Sequence, residues 1–312
     1  MILSILSNKK YWKWKGFSVA WSAFSEKNTT PILFIHGFGA NSEHWRKNIK
    51  FFSDQGYAVY VLDLLGFGDS DQPGIYQIGK LDNGIWCDQV TDFINEIIRP
   101  VNTNKIFLVG NSLGGLVALT CAVSISEDIA GIVASPLPDP VSLLDQAPIL
   151  KTRFKNLRKI IYKFIINIIP FKLILFLVNR LGIINLGLNT AYYKKENIDS
   201  ELLKIIKRPA KRNTASRALK AMCLGMSLRS KKLKASFLLN CLNQQKKVPF
   251  LLIWGDKDNF IPLFLGKRIA KIYQWVKLIV ITNSGHCVHD EDHYKFNKIV
   301  HEWIKDLKEF KK

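Results

Sequence analysis

Ser112, Asp258 and His286 are the residues whose types and order in this chain could carry nucleophilic acyl transfer. A serine hydroxyl is a weak nucleophile, so it needs a base within hydrogen-bond reach and a carboxylate to orient that base. Ser112 stands in Gly110, Asn111, Ser112, Leu113 and Gly114, a GxSxG run. Glycines two positions either side allow a turn tight enough to bring the flanking backbones close together and push the hydroxyl outward. Taken alone, the run reads more readily as an ordinary glycine-rich turn between a strand and a helix. Order raises it above that reading. Asp258 lies just beyond the apolar run FLLIW, His286 follows the last strand-like run, and Ser, Asp, His is the chain order used by one class of sheet enzymes. Asp256 and Asp139 are the alternative acids.

A tetrahedral intermediate also needs donors for its oxyanion, and a glycine-rich turn after a strand can aim backbone N–H groups at one point. HGFG at 36–39 is such a turn, which makes the N–H groups of Phe38 and Leu113 the expected donors. His36 reads as structural and Asp63 as a turn-stabilising residue. His286, His289 and His293 have a spacing that could hold a metal on a helix, but Asp290, Glu291 and Asp292 beside them look like a helix start. No metal or organic cofactor is expected. Cys121 and Cys287 read as small buried residues.

The elements that must position these groups follow from periodicity. Residues 11–24 read as two short strands around Lys15 and Gly16, and 31–37, 58–64, 106–109, 129–135, 249–258 and 277–283 contain buried-type strands. Helices are expected from about Asn41 to Asp54, over 84–98, after Ser112, after Pro262, and from about Glu291 to Phe310. Strands alternating with helices in this way imply a parallel sheet covered on both faces. The alternation breaks at SPLPDP (135–140) and resumes near 248. The chain therefore divides into a first core part (1–140), an inserted helical segment (141–247) and a second core part (248–312).

Composition agrees with a globular chain: of 312 residues, 48% are hydrophobic and 22% charged. The formal charge of +20 is not spread evenly. Residues 151–250 hold 23 Lys and Arg against 3 acids, whereas the rest of the chain has 22 of each. Five cysteines without a CxxC pair read as free thiols in a reducing compartment. The N-terminus lacks the basic region of a secretory signal, and polar residues interrupt every apolar run in the insertion, so neither a signal peptide nor a spanning helix is expected. A cytoplasmic protein is the resulting expectation.

HGFG at 36–39, DLLGFGDS at 63–70, GNSLGG at 110–115, WGDKD at 254–258 with Ile261 and Pro262, and SGH at 284–286 together resemble the α/β-hydrolase superfamily over nearly the whole chain. The resemblance implies an α/β-hydrolase fold: a mostly parallel eight-stranded sheet flanked by helices, with an inserted helical cap over the active site. It implies Asp258 as the acid, third after the glycine of WGxxD, and sets Ser112 apart from the haloalkane dehalogenases and soluble epoxide hydrolases, which carry Asp there. The wording HGFGANSEHWRKNI and DLLGFGDSD is similar to cyanobacterial and plastid hydrolases that include pheophytinase and chlorophyll dephytylase. The implied activity is hydrolysis of a carboxylic ester of an apolar substrate, such as a lipid or a phytyl ester. Cleavage of a C–C bond or a thioester by the same triad, and a non-enzymatic ligand-binding protein, are the alternatives.

Residues 154–188 mix cationic with large aliphatic side chains, as helices lying in a membrane interface do. An anionic membrane surface is the expected macromolecular partner, making the protein peripheral on a membrane such as a thylakoid. A solvated lysine face is the alternative. Nucleic acid is the weaker expectation, since few aromatic residues are there to stack on bases, and all eight tryptophans lie outside the insertion.

Overall fold

The computed structural model describes residues 8–139, 164–245 and 248–309. Its eight strands are β1 (Lys10–Trp14), β2 (Phe17–Phe24), β3 (Thr30–Ile35), β4 (Tyr57–Leu62), β5 (Ile106–Asn111), β6 (Ile129–Ser135), β7 (Phe250–Gly255) and β8 (Val276–Ile281). They form one sheet in the order β1-β2-β4-β3-β5-β6-β7-β8. β1 pairs β2 and β2 pairs β4 antiparallel; every other neighbour is parallel. The β1–β2 hairpin turns on Lys15 and Gly16, both at positive φ (49° and 84°), which suits the twist of the flanking strands. The inner strands are apolar at nearly every position because both faces are covered, whereas edge strand β8 is buried only at its two ends.

The helices are α1 (Ile49–Asp54), α2 (Asn83–Phe93), α3 (Leu113–Ser124), α4 (Phe171–Arg180), α5 (Ile183–Ala191), α6 (Ser200–Ala210), α7 (Ala215–Leu228), α8 (Ala235–Gln245), α9 (Leu263–Ile272) and α10 (His293–Glu309). One core layer lies between the sheet and α2, α3 and α8, the other between the sheet and α1 and α10.

Two differences from the sequence expectation have identifiable causes. The helix expected over 41–54 is broken into a tight turn at Ser42–Trp45 and α1. Asn41 caps the turn through Oδ1, and the Asp63 carboxylate takes the N–H of Ser42 at 2.7 Å, so the backbone there is tied to a neighbouring loop. Second, α8 lies in sequence within the expected insertion, but Ala235, Leu238, Leu239 and Leu242 join the same apolar cluster as Leu116 and Val117 of α3. That helix is therefore part of the core layer. Residues 154–163 of the amphipathic stretch lie outside the described residues.

Candidate active site

Ser112 sits between β5 and α3 at φ 50° and ψ −112°, a conformation that L side chains rarely adopt. The surrounding glycines explain how the chain reaches it. A Cβ on Gly110 would stand 2.1 Å from the Gly114 carbonyl carbon, and one on Gly114 would stand 2.1 Å from the Ile35 carbonyl oxygen. The turn is therefore closed against itself and against β3. Leu113 opens α3, where the first-turn N–H groups have no intrahelical acceptor. Phe38, on the loop after β3, lines the same cavity as Ser112.

That cavity, of about 460 Å3, lies at the carboxyl ends of the central strands and also takes in Asn111, His286, Phe260 and His44. Its roof comes from the insertion, through Ile184, Gly187, Leu188 and Ala191 of α5 and Ile206 of α6. Of the three candidate acids, Asp258 reaches the histidine: its Oδ2 accepts from His286 Nδ1 at 2.9 Å, and its Oδ1 accepts from the N–H groups of Phe260 and Ile261 at 2.8 and 2.9 Å. Nδ1 of His286 thus carries the proton, leaving Nε2 as the free acceptor. Asp256 is turned toward Lys257 and the N–H of Ser284. Asp139 is held by Arg229 and by the N–H of Ala235.

His36 bridges two loops, with Nδ1 on the Gly37 carbonyl and Nε2 accepting from the N–H of Leu64. Asp63 takes the N–H groups of Ser42 and Asp69, each at 2.7 Å. His289 is buried against the rings of His44 and Trp45, and His293 packs on Tyr294, so the three histidines are not gathered around one point. Cys121 and Cys287 are buried, and burial followed by the Asp290 charge pushes the Cys287 thiol well up.

Several residues that hold this arrangement carry no signal in the sequence. Asn111 donates from Nδ2 to the Ser135 carbonyl at 2.6 Å and to the His286 carbonyl at 3.4 Å, and its Oδ1 leaves no room for a side chain on Gly37. It therefore links the expected oxyanion loop, β6 and the histidine loop. The N–H of His286 donates to the carbonyl of Ala191 at 2.7 Å, and Glu291 accepts from the N–H groups of Gly285 and Lys194. Tyr192, fully buried, donates to Asp290 at 3.0 Å, and His44 Nε2 lies 2.8 Å from its hydroxyl. Since that hydroxyl spends its proton on Asp290, His44 is the donor in the second bond. Arg46 completes the group, joining Asp290 to Asp199 and Glu201. A tyrosine in an inserted segment gives no hint from sequence that its partner is 98 residues away.

Burial pushes the His44 imidazole down to about 4, and burial lowers His36 and His289 in the same direction. A histidine whose folded pKa lies below its unfolded value binds more protons when the chain unfolds. Stability is therefore expected to fall as pH drops from about 6.5 toward 4, by up to about 1.4 kcal/mol per pH unit for each such histidine. Urea midpoints measured across that window check this, and a flat profile would contradict it.

Comparison with known proteins agrees with this fold. Epoxide hydrolase 3 of Xenopus tropicalis is 24% identical over 300 residues, covering 93% of this chain and 76% of that protein. The chloroplastic pheophytinase of Arabidopsis thaliana is 26% identical over 322 residues, covering 88% and 61%. A solved thermophilic esterase from Thermogutta terrifontis aligns with a TM-score of 0.69 at 20% identity, over 96% of this chain and 98% of that one. A family model described as alpha/beta hydrolase fold matches residues 30–293, and the chain accordingly belongs, as a hydrolase, to the α/β-hydrolase family.

Proposed function

We propose that the protein hydrolyses carboxylic esters of apolar substrates through Ser112, His286 and Asp258. The observation that carries this reading is the strained backbone of Ser112, held at the wall of the cavity that His286 also lines. Strain of this kind costs on the order of 1–3 kcal/mol and persists at positions where function requires it. His286 Nε2 takes the serine proton as the hydroxyl attacks the carbonyl, Asp258 stabilises the resulting imidazolium, and the N–H groups of Phe38 and Leu113 receive the oxyanion. The alcohol leaves with the proton from Nε2. Water, deprotonated by the same nitrogen, then releases the acid and restores the serine. Every atom in this cycle comes from the chain, the ester or water.

The shape of the site supports an apolar substrate with an extended limb. A second chamber of about 260 Å3 shares Phe38, Gly39, Ile184 and Ile206 with the first, and continues between Leu175, Val178, Leu219 and Met222. A long acyl or prenyl chain would remove about 0.8 kcal/mol of apolar hydration per methylene there. Rates on p-nitrophenyl esters should therefore rise from acetate to medium-length acyl chains. Leu219→Trp, which fills the outer chamber, is expected to lower the long-chain rate at least about tenfold, the effect of losing two methylene contacts, while leaving the acetate rate within a few-fold. A strong preference for acetate in the parent protein would contradict the reading. The pheophytinase relative makes phytyl esters a specific substrate class to include in that series.

C–C bond or thioester cleavage would use the same three residues, and a substrate series containing both bond types distinguishes them. The epoxide hydrolase relatives are less informative about bond type, because the resemblance to soluble epoxide hydrolases stops at Ser112, where that group carries Asp.

A further inference from the structure

α4 and α5 present two unlike surfaces to their surroundings. Their inner faces wall the two chambers through Leu175, Val178, Ile184 and Leu188. Their outer faces and the turn between them carry large apolar side chains in water: Leu173 is 52% exposed, Phe176 54%, Leu181, in the turn, 67% and Leu186 66%. Soluble surfaces seldom gather such residues without a partner.

Beside this apolar ridge lies a polar groove of about 440 Å3 between α4 and the turn joining α6 to α7. Its cations are Lys172, Arg180, Lys211 and Arg212, and among the described residues no carboxylate lines it. Among the described residues, Lys172, Arg180 and Lys211 form no ion pair. Arg212 is fixed by two bonds from one guanidinium nitrogen to the carbonyls of Gly68 and Ser70, and the Arg180 guanidinium lies over the Phe176 ring at 5.4 Å. The cationic groove and the apolar ridge thus meet at Phe176.

We propose that this face docks the enzyme on an anionic lipid bilayer, with lipid phosphates in the groove and the ridge of Leu173, Phe176, Leu181 and Leu186 in the outer acyl region. Charge complementarity selects the occupant, since a groove lined by four cations, three of them without an ion pair among the described residues, beside an apolar ridge matches the layering of phosphate over hydrocarbon. The bend between the two helices favours a surface mode. Among the described residues no single helix is long and apolar enough to cross a membrane; α4 and α5 reach that length and composition only as a pair, and the pair is bent by 73° at its break. At 10 and 9 residues they are each about 15 Å long, half the thickness of the hydrocarbon core. Docking here puts the walls of both chambers against the lipid phase, from which an apolar ester would reach Ser112 without crossing water. This goes beyond the ester reading and is tested without hydrolysis.

The experiment is sedimentation with phosphatidylcholine vesicles that contain or lack phosphatidylglycerol, at low and high salt. The protein and its Ser112→Ala form should both pellet with the anionic vesicles at low salt and remain in solution with pure phosphatidylcholine. Lys172→Glu with Lys211→Glu should weaken partitioning more than about tenfold, as expected for removing two cations from the surface. Phe176→Ser with Leu181→Ser should do so to a similar extent through lost apolar burial. None of these four residues lines the two chambers, and an unchanged thermal midpoint shows that each variant is folded. Four results would each overturn the proposal. They are failure to pellet at low salt, equal binding to pure phosphatidylcholine, release by inorganic phosphate but not by chloride at equal ionic strength, and a solution dimer that the Phe176 and Leu181 variant splits without vesicle binding in the parent. Retention on single-stranded RNA in place of vesicles would identify the groove as a nucleic-acid site and would also overturn it.

Discussion

Ser112→Ala is expected to abolish fluorophosphonate labelling and to lower kcat by at least about four orders of magnitude, the scale set by removing a serine nucleophile from a complete triad. Because alanine retains the Cβ, the variant keeps the unfavourable φ of 50° and should melt close to the parent protein. Ser112→Gly should lose activity equally but gain stability, by about 1–3 kcal/mol, since glycine adopts that conformation without penalty. The pair separates chemistry from conformation. Equal labelling of the parent and Ser112→Ala would end the nucleophile assignment, and a Ser112→Gly variant no more stable than Ser112→Ala would mean the turn stores no strain.

Asp258→Asn is expected to lower kcat by about 10^3–10^4-fold while changing KM little. Asparagine can keep the two bonds that Oδ1 accepts from the N–H groups of Phe260 and Ile261, so the loop should hold its shape. What changes is the group facing His286. An amide N–H in place of Oδ2 pairs with a bare Nδ1 and moves the ring proton to Nε2, where the base must be free to accept one. The loss should therefore fall on kcat, and the melting temperature should move only slightly. Asp256→Asn and Asp139→Asn serve as controls, because their carboxylates face Lys257 and Arg229 respectively. A large kcat loss in either control with normal stability would transfer the role of acid away from Asp258.

The inner strands were legible in the sequence because they are buried on both faces and bounded by glycine and proline. All eight lie within a few residues of where apolar runs put them, from Thr30–Ile35 to Val276–Ile281. The three candidate triad residues were legible for a related reason: each follows a strand, and strand ends are what the pattern marks best. The tertiary ties were not legible. Asn41 and Asp63 break the helix expected over 41–54 by hydrogen bonds that span two loops, and periodicity carries no information about them. Choosing among Asp256, Asp258 and Asp139 needed the superfamily pattern, because two aspartates two residues apart differ only in which way a turn points them. Asn111 occupies a variable position of GxSxG, yet it fastens three loops. The charge asymmetry of the insertion was visible at once; its concentration in a groove beside Phe176 required the packing of α4 against the α6–α7 turn.

The bond from the His286 N–H to the Ala191 carbonyl has a consequence for how this protein can diverge. Ala191 ends α5, Gly285 has no space for a side chain against that same carbonyl, and Glu291 grips the next stretch of the insertion at Lys194. The helix that roofs the cavity and the loop that carries His286 are thus one mechanical piece. A lineage could reshape α4 and the outer chamber freely and so change what is hydrolysed. Exchanging the insertion wholesale would require the newcomer to present a carbonyl at the same point, or the histidine would lose its footing along with the old specificity.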